Sequence, residues 1–246
     1  ITVTASYHTE QYDSAAKNTN WSIFGGKKKF RENPAMSGGD LRSWKAALEL
    51  DTRDKFMRNP RGTYLNIEFE KAGNGLGGQF DFTRVLADLR RYQPLGVNQG
   101  IDLRIRAGSG EGMLPWQKTF WLGGVSTLRA YRYKNFPAGS TAPGGNRMLL
   151  GQIEYRMGET NFPDELDMGL FEFFNLVVFA DAGWVGTVSP ELGLMEGFDG
   201  LTWSDFKSDI GIGLVSSDGN VRIEVARRTD RAHKPFRVLF RLNKPF

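Results

Sequence analysis

The sequence predicts an all-β protein, a transmembrane antiparallel up-and-down β-barrel, and ten of its strands are visible in the pattern. Three observations predict this class. Apolar and polar residues alternate with period two along most of the chain, short connections alternate with long ones, and no apolar stretch approaches the ~18 to 20 residues of a membrane-spanning helix. A chain of 246 residues with 40% hydrophobic and 24% charged residues is also too apolar for a disordered protein.

The alternation is clearest where one face of a strand is charged. The segment 101–107 places isoleucine, leucine and isoleucine on one face, and aspartate, arginine and arginine on the other. Such a pattern is typical of a strand with one apolar and one polar side. The ten predicted strands cover residues 1–9, 42–52, 63–71, 79–92, 101–107, 147–157, 173–183, 206–216, 221–225 and 236–242.

The connections between these strands favour a barrel over a sandwich. Short connections lie near residues 54–61, 93–100 and 216–220, and long ones at 11–40, 111–145 and 184–204. Short turns at one end and long loops at the other are the layout of a membrane barrel, whereas Greek-key crossovers would break this regularity. The connection 159–170 is longer than the pattern predicts. Loop 11–40 leaves room for a further strand pair at 21–30, and its basic run 27–31 suits a mobile extracellular loop. Contact of this run with anionic lipid headgroups is a weaker alternative.

Alternation alone does not say which face meets lipid, and a soluble sandwich would also alternate. The apolar faces are nearly free of charge at mid-strand, which favours lipid contact. Aromatic residues also gather near the strand ends, where we expect them to form interfacial girdles. These residues are Trp44, Tyr64, Tyr92, Trp116, Phe120, Trp121, Tyr155, Trp184 and Trp203.

Nothing in the sequence points to catalysis, a metal or a cofactor. There are no cysteines, and the two histidines, His8 and His233, are far apart in sequence. No nucleophile elbow, phosphate loop or zinc-protease motif is present. The net charge of +4 is too mild to predict nucleic acid as a partner. We therefore expect a non-enzymatic barrel domain over residues 1–246.

The segment 120–136 (FWLGGVSTLRAYRYKNF) contains the most informative motif. It resembles the BamA/TamA (bacterial surface antigen) superfamily of outer-membrane assembly and secretion barrels, whose long extracellular loop carries two glycines and then an aliphatic-Arg-Gly-aromatic tetrad. The matching residues are Gly123, Gly124, Leu128, Arg129, Ala130 and Tyr131, with Ala130 where the family usually has glycine. A strand–turn–strand segment at 48–64 is also similar. The C-terminal Phe240, Leu242 and Phe246 resemble the signal that marks barrels for insertion, and the likeness covers roughly residues 42–246.

The resemblance implies a bacterial outer-membrane location and a loop 111–145 that folds into the lumen, where Arg129 pairs with acidic residues on the inner wall. By facing, Glu154 and Asp181 are the candidate partners, and the spacing of Phe179, Asp181 and Gly183 matches the family's pattern on that strand. Two alternatives stay open: Arg129 is a solvated loop residue, or the two acids pair with wall arginines such as Arg156 or Arg104.

The resemblance also implies a function, the membrane half of a machine that inserts or exports proteins. The expected partners are outer-membrane lipid and lipopolysaccharide, client outer-membrane or secreted proteins, and periplasmic accessory modules. The alternatives are a barrel that anchors or exports a linked lipase or phosphoesterase, and a structural anchor subunit. Because the family's barrel has roughly sixteen strands and open edges cannot face lipid, segment 1–9 is expected to pair either with strands outside this sequence or with segment 236–245.

Overall fold

Ten β-strands joined in a single sheet make up most of the structure. The computed structural model describes residues 1–14, 36–54, 61–137, 144–158, 174–217, 219–230 and 236–242. The strands are β1 (Thr2–Tyr12), β2 (Gly39–Asp51), β3 (Gly62–Ala72), β4 (Phe82–Gly96), β5 (Gln99–Gly112), β6 (Arg147–Met157), β7 (Phe174–Gly186), β8 (Lys207–Ser216), β9 (Val221–Arg228) and β10 (Arg237–Leu242). Helical structure in these residues is limited to short 3-10 turns, and none of it could cross a membrane.

Every strand pairs antiparallel with the next one in the chain, so the order in the sheet is the order in the sequence. This confirms the predicted up-and-down topology. The predicted connection 93–100 is wrong in extent, because β4 continues to Gly96 and only Val97 and Asn98 form the turn. Asn98 has φ 56°, the left-handed conformation that tight hairpins require. Pro94 lies inside this longer strand, beside a register shift near its end, where a missing N–H is tolerated.

The two faces of the sheet meet different surroundings. On β6, Gln152 and Glu154 are buried on the concave face, whereas Ile153 between them is 43% exposed on the convex face. The same parity holds along the neighbouring strands and leaves a convex surface of large apolar side chains: Ile67, Leu103, Ile105, Val178, Ile210, Ile212, Ile223, Val238 and Phe240. An apolar outer face with charges inside is the arrangement of a membrane barrel.

Only part of the predicted aromatic girdle faces outward. Trp44 is 54% exposed on the convex face, but Tyr92 and Phe120 are buried, which contradicts their assignment to the girdle. Tyr64 also points inward, where its ring lies 4.5 Å from the guanidinium carbon of Arg53. Tyr64 and Tyr92 share the parity of the lumen-facing residues, and in a strand parity decides the direction of a side chain, whatever its distance from the strand end.

The sheet is not closed in the part of the chain that the structure describes. β1 pairs only with β2 and β10 only with β9, so the expected alternative in which β1 seals against β10 is not formed. Several predictions fall outside the described residues: the strand pair at 21–30, the basic run 27–31, the connection 159–170, His233 and Phe246.

Candidate functional site: a loop fastened to the inner wall

The connection between β5 and β6 lies against the concave face of the sheet. We call it the inner loop (residues 113–146, of which 138–143 are not described). Two β-bridges give it a base, Phe120 with Gly145 and Leu122 with Phe136. At Gly123 φ is +110°, and a Cβ there would lie 2.2 Å from the Arg132 carbonyl oxygen. Glycine is the residue that adopts this backbone without strain, so the Gly-Gly pair lets the chain turn toward the wall.

Arg129 is the most buried cation of this loop, with no exposed surface. Its Nε and Nη2 donate to the two carboxylate oxygens of Asp181 at 2.8 and 2.9 Å. Its Nη1 donates to Glu224 at 2.9 Å and forms an ion pair with Glu154 at 2.6 Å. Burial alone would lower the pKa of Arg129, but the three carboxylates raise it, so the guanidinium stays charged. The structure thus brings Arg129 together with Asp181 and Glu154, and it adds Glu224.

The guanidinium belongs to a charge-balanced network. Arg222 donates to Glu154 at 2.9 Å and to Glu224 at 3.0 Å, while Arg241 donates to Glu224 at 2.5 Å. Arg129 of the loop, together with Arg222 and Arg241 of the wall, therefore faces three carboxylates on β6, β7 and β9. Such a network adds little net stability, but a charge that loses its partner inside it is costly. It therefore favours one position of the loop over all displaced ones.

The other residues of the tetrad also contact the wall. Leu128 is fully buried in an apolar cluster that includes Met148 of β6. The Ala130 N–H donates to Asp209 Oδ2 at 3.0 Å, and Ala130 is absent from the described residues with positive φ, so its departure from the family's glycine costs no backbone strain. The ring of Tyr131 lies 3.8 Å from the guanidinium carbon of Arg228. Burial and a hydrogen bond with Asp230 raise the pKa of Tyr131.

Glycines on the wall make room for the apolar side of the loop. A Cβ at Gly183 would lie 2.6 Å from Leu122 Cδ1, and one at Gly108 would lie 2.5 Å from the Phe120 ring. Non-bonded carbon atoms do not approach this closely, so a side chain at either position requires Leu122 or Phe120 of the loop to move. The role of Gly183 is therefore to leave room for the Leu122 side chain, and not to contact Arg129.

The structure also decides between the alternatives for the two acids. Arg129 is not solvated. Arg156 pairs with Asp102 at 2.8 Å and Arg104 with Asp88 at 2.6 Å, so neither of these wall arginines is the main partner of Glu154 or Asp181. A wall arginine does bind Glu154, but it is Arg222 of β9.

Sequence reasoning missed Glu224, Arg222, Arg241 and Asp209. The alternation of polar and apolar residues predicts that these side chains face the lumen. It predicts the same for every polar residue of the same parity, so it does not single these four out. It also missed Arg147, which is fully buried and donates to backbone carbonyls of Leu192, Gly193 and Glu196 in the loop between β7 and β8. A charged residue at the first position of an apolar strand was the available signal.

A curved antiparallel sheet with an apolar outer face, and with a loop fastened by buried charges to its inner face, defines a membrane β-barrel with an internal loop. The chain matches the sequence profile described as an Omp85 superfamily domain over residues 2–234, and it belongs to that superfamily. The resemblance stated from the tetrad is thereby confirmed, and so is the outer-membrane location.

One sequence relative and one solved structure are similar to this chain. It is 26% identical over 156 residues to the outer membrane protein assembly factor BamA of Nitratidesulfovibrio vulgaris, an alignment that covers 58% of this chain and 19% of that protein. Its fold is similar to the crystal structure of BamA from Haemophilus ducreyi lacking POTRA domains 1–3, with a TM-score of 0.61, 17% identity, and coverage of 87% of this chain and 45% of that one. The chain thus spans less than half the length of either relative.

Proposed function

We propose that this chain is the membrane half of a machine that inserts proteins into the bacterial outer membrane, with client outer-membrane proteins as its partners. The observation that carries the proposal is Arg129, fully buried and held by carboxylates of β6, β7 and β9 in a member of the Omp85 superfamily. The relative from Nitratidesulfovibrio vulgaris is an outer membrane protein assembly factor, which favours insertion over the anchoring of a linked hydrolase.

The placement of the inner loop supports insertion at the wall over export through the lumen. The loop contacts β6 and β7 through its charges and apolar side chains, and it reaches β10 through the Val125 carbonyl, which accepts from Arg241 at 3.1 Å. A docked loop occupies the concave side, so export through it requires undocking. For insertion at the wall the loop can stay docked, where it holds the strands in register while a client binds.

Reconstitution of the full-length protein in lipid vesicles tests the proposal. We expect a denatured client barrel to reach its heat-resistant folded form faster than in vesicles that hold an unrelated barrel of equal size. Arg129→Glu should slow this folding, because it replaces the cation with a fourth carboxylate. Lys71→Glu, at an exposed pair with Asp81, is the matched charge reversal and should leave the rate unchanged. Equal client folding with and without the wild-type protein would contradict the proposal.

A further inference from the structure

A second group of charges joins the inner loop to the opposite side of the sheet. Lys118 Nζ lies 3.0 Å from Glu10 Oε1 on β1 and 3.1 Å from Glu70 Oε1 on β3. Lys45 on β2 approaches the same two carboxylates at 3.3 and 3.7 Å. Glu70 is only 4% exposed and accepts from the Ser43 hydroxyl at 2.8 Å. Two ammonium groups and two carboxylates thus balance one another on the concave face.

Lys118 belongs to the loop and not to the wall. It ends the 3-10 turn Trp116–Lys118, and its backbone carbonyl accepts from Arg84 Nε of β4 at 3.0 Å. The guanidinium carbon of Arg84 lies 4.7 Å from the centroid of the Phe120 ring, a distance at which a cation is attracted to the ring face. The wall therefore holds this segment at three points, which are the Lys118 carbonyl, the Lys118 side chain and the Phe120 ring.

We propose that Lys118, with Glu10 and Glu70, is a second latch of the inner loop, separate from the latch at Arg129. The proposal deepens the function proposed above and rests on it for the role of the loop. Lys118 is a positioning residue: it fixes the first half of the loop, whereas Arg129 fixes the tip. Undocking of the loop then takes place in two separable steps.

The separation of the two latches follows from their partners. The second latch uses carboxylates of β1 and β3, with Lys45 of β2 beside them, and the Arg129 latch uses carboxylates of β6, β7 and β9. The ion pairs of one share no residue with those of the other, and energetic effects at sites without common partners are usually additive. Between them lie Gly123 and Gly124, both with positive φ, where the loop changes direction.

The charge balance makes the latch sensitive to reversal. Lys118→Glu leaves one ammonium among three carboxylates, and Glu70→Lys in the same protein restores two charges of each sign. The partners are partly to strongly shielded from solvent, with side-chain exposures of 13% for Lys118, 31% for Glu10 and 6% for Glu70. Repulsion there is screened less than between fully exposed charges.

Limited proteolysis of the full-length protein in outer-membrane vesicles tests the latch. A protease that cleaves after aromatic residues has sites at Phe120 and Trp121 in the first half and at Tyr131 and Tyr133 near the tip, and none of them is altered by the variants. We expect Lys118→Glu to raise cleavage in the first half by at least about tenfold, with a smaller effect at the tip. The double variant with Glu70→Lys should return toward wild type, and Lys71→Glu should match wild type.

Arg129→Glu should show the opposite preference, with cleavage raised mainly at Tyr131 and Tyr133. If Lys118→Glu opens both halves equally, or opens neither, the second latch is wrong. Lys118→Gln, a milder change, covers the case in which the reversal prevents folding, and it should raise first-half cleavage less than Lys118→Glu. Failure of the proposed insertion activity would appear in the client-folding assay and would leave these cleavage ratios unchanged, so the two failures are distinguishable.

Discussion

At the scale of single residues, the position of the inner loop depends on one guanidinium. Arg129 presents a planar fork to both oxygens of Asp181 while its remaining nitrogen meets Glu224 and Glu154. Lysine offers the same charge without this planar geometry, so it would not satisfy the three carboxylates in the same way. The ring of Phe179, with its centroid 3.7 Å from the guanidinium carbon, supports the fork from one side.

Charge reversal at either residue of the Arg129–Asp181 ion pair should therefore undock the tip of the loop. Arg129→Glu and Asp181→Arg each leave a buried charge without its partner, which costs about 3 to 5 kcal/mol. The double variant restores opposite charges and should recover part of the protection. Cleavage after Tyr131 in outer-membrane vesicles measures the effect. If both single variants resist cleavage as well as the wild type does, the ion pair does not hold the loop.

Added volume at Gly183 should displace the loop without any change of charge. Gly183→Val places atoms where Leu122 now packs, and overpacking of this kind typically costs about 1 to 3 kcal/mol. Gly151→Val on the neighbouring strand is the control, because a Cβ there meets nothing within 4 Å. Protease sensitivity of the loop should rise for Gly183→Val only. Equal sensitivity in both variants would mean that the strand itself is perturbed.

The sequence predicts some of these residues better than others. Glu154 and Asp181 follow from strand parity together with the family motif, and the structure places both against Arg129. Glu224 does not follow, because parity shows that it faces inward but not at what height relative to the loop. That height is set by the stagger of β9 against β7, which no local pattern in the sequence records.

At the scale of elements, each strand is built for two surroundings. The period-two pattern predicted all ten strands, because an apolar residue in the wrong register would face the charged lumen. Boundaries were predicted less well. The hairpin of β4 and β5 extends into the predicted connection 93–100, since the strand end tolerates the missing N–H of Pro94. The predicted girdle is too large, because parity within the strand, and not closeness to its end, decides which way an aromatic side chain points.

A charge on the convex face of β6 should destabilise the barrel in a membrane. Ile153 lies mid-strand and is 43% exposed on the apolar face. Arginine near the bilayer midplane of a barrel costs about 2 to 4 kcal/mol, so Ile153→Arg should lower the free energy of unfolding in lipid vesicles by that amount. Met195→Arg, at a 90% exposed loop residue, should have little effect. Urea titrations of both variants test this, and an unchanged midpoint for Ile153→Arg would place that face away from lipid.

At the scale of the whole molecule, the inner loop extends across the concave side from one edge of the sheet to the other. Lys118 contacts Glu10 on β1, and the Val125 carbonyl accepts from Arg241 on β10. One segment thus contacts both edge strands of a sheet whose edges do not pair with each other. We infer that the loop helps to fix the curvature of the sheet, a role that strand patterns alone could not predict because it depends on contacts between distant segments.

The free edges of this sheet lead to a prediction for the protein in its membrane. β1 pairs on one side only, so the N–H groups that point away from β2 have no strand partner in the sheet described here. In lipid each such group would cost several kcal/mol, so a further strand must cover this edge in the bilayer. We expect amide exchange of β1 in outer-membrane vesicles to be as slow as that of β6, which is paired on both sides. Fast exchange confined to alternate residues of β1 would instead show an edge that stays open in the membrane and is covered by water or by a transient partner.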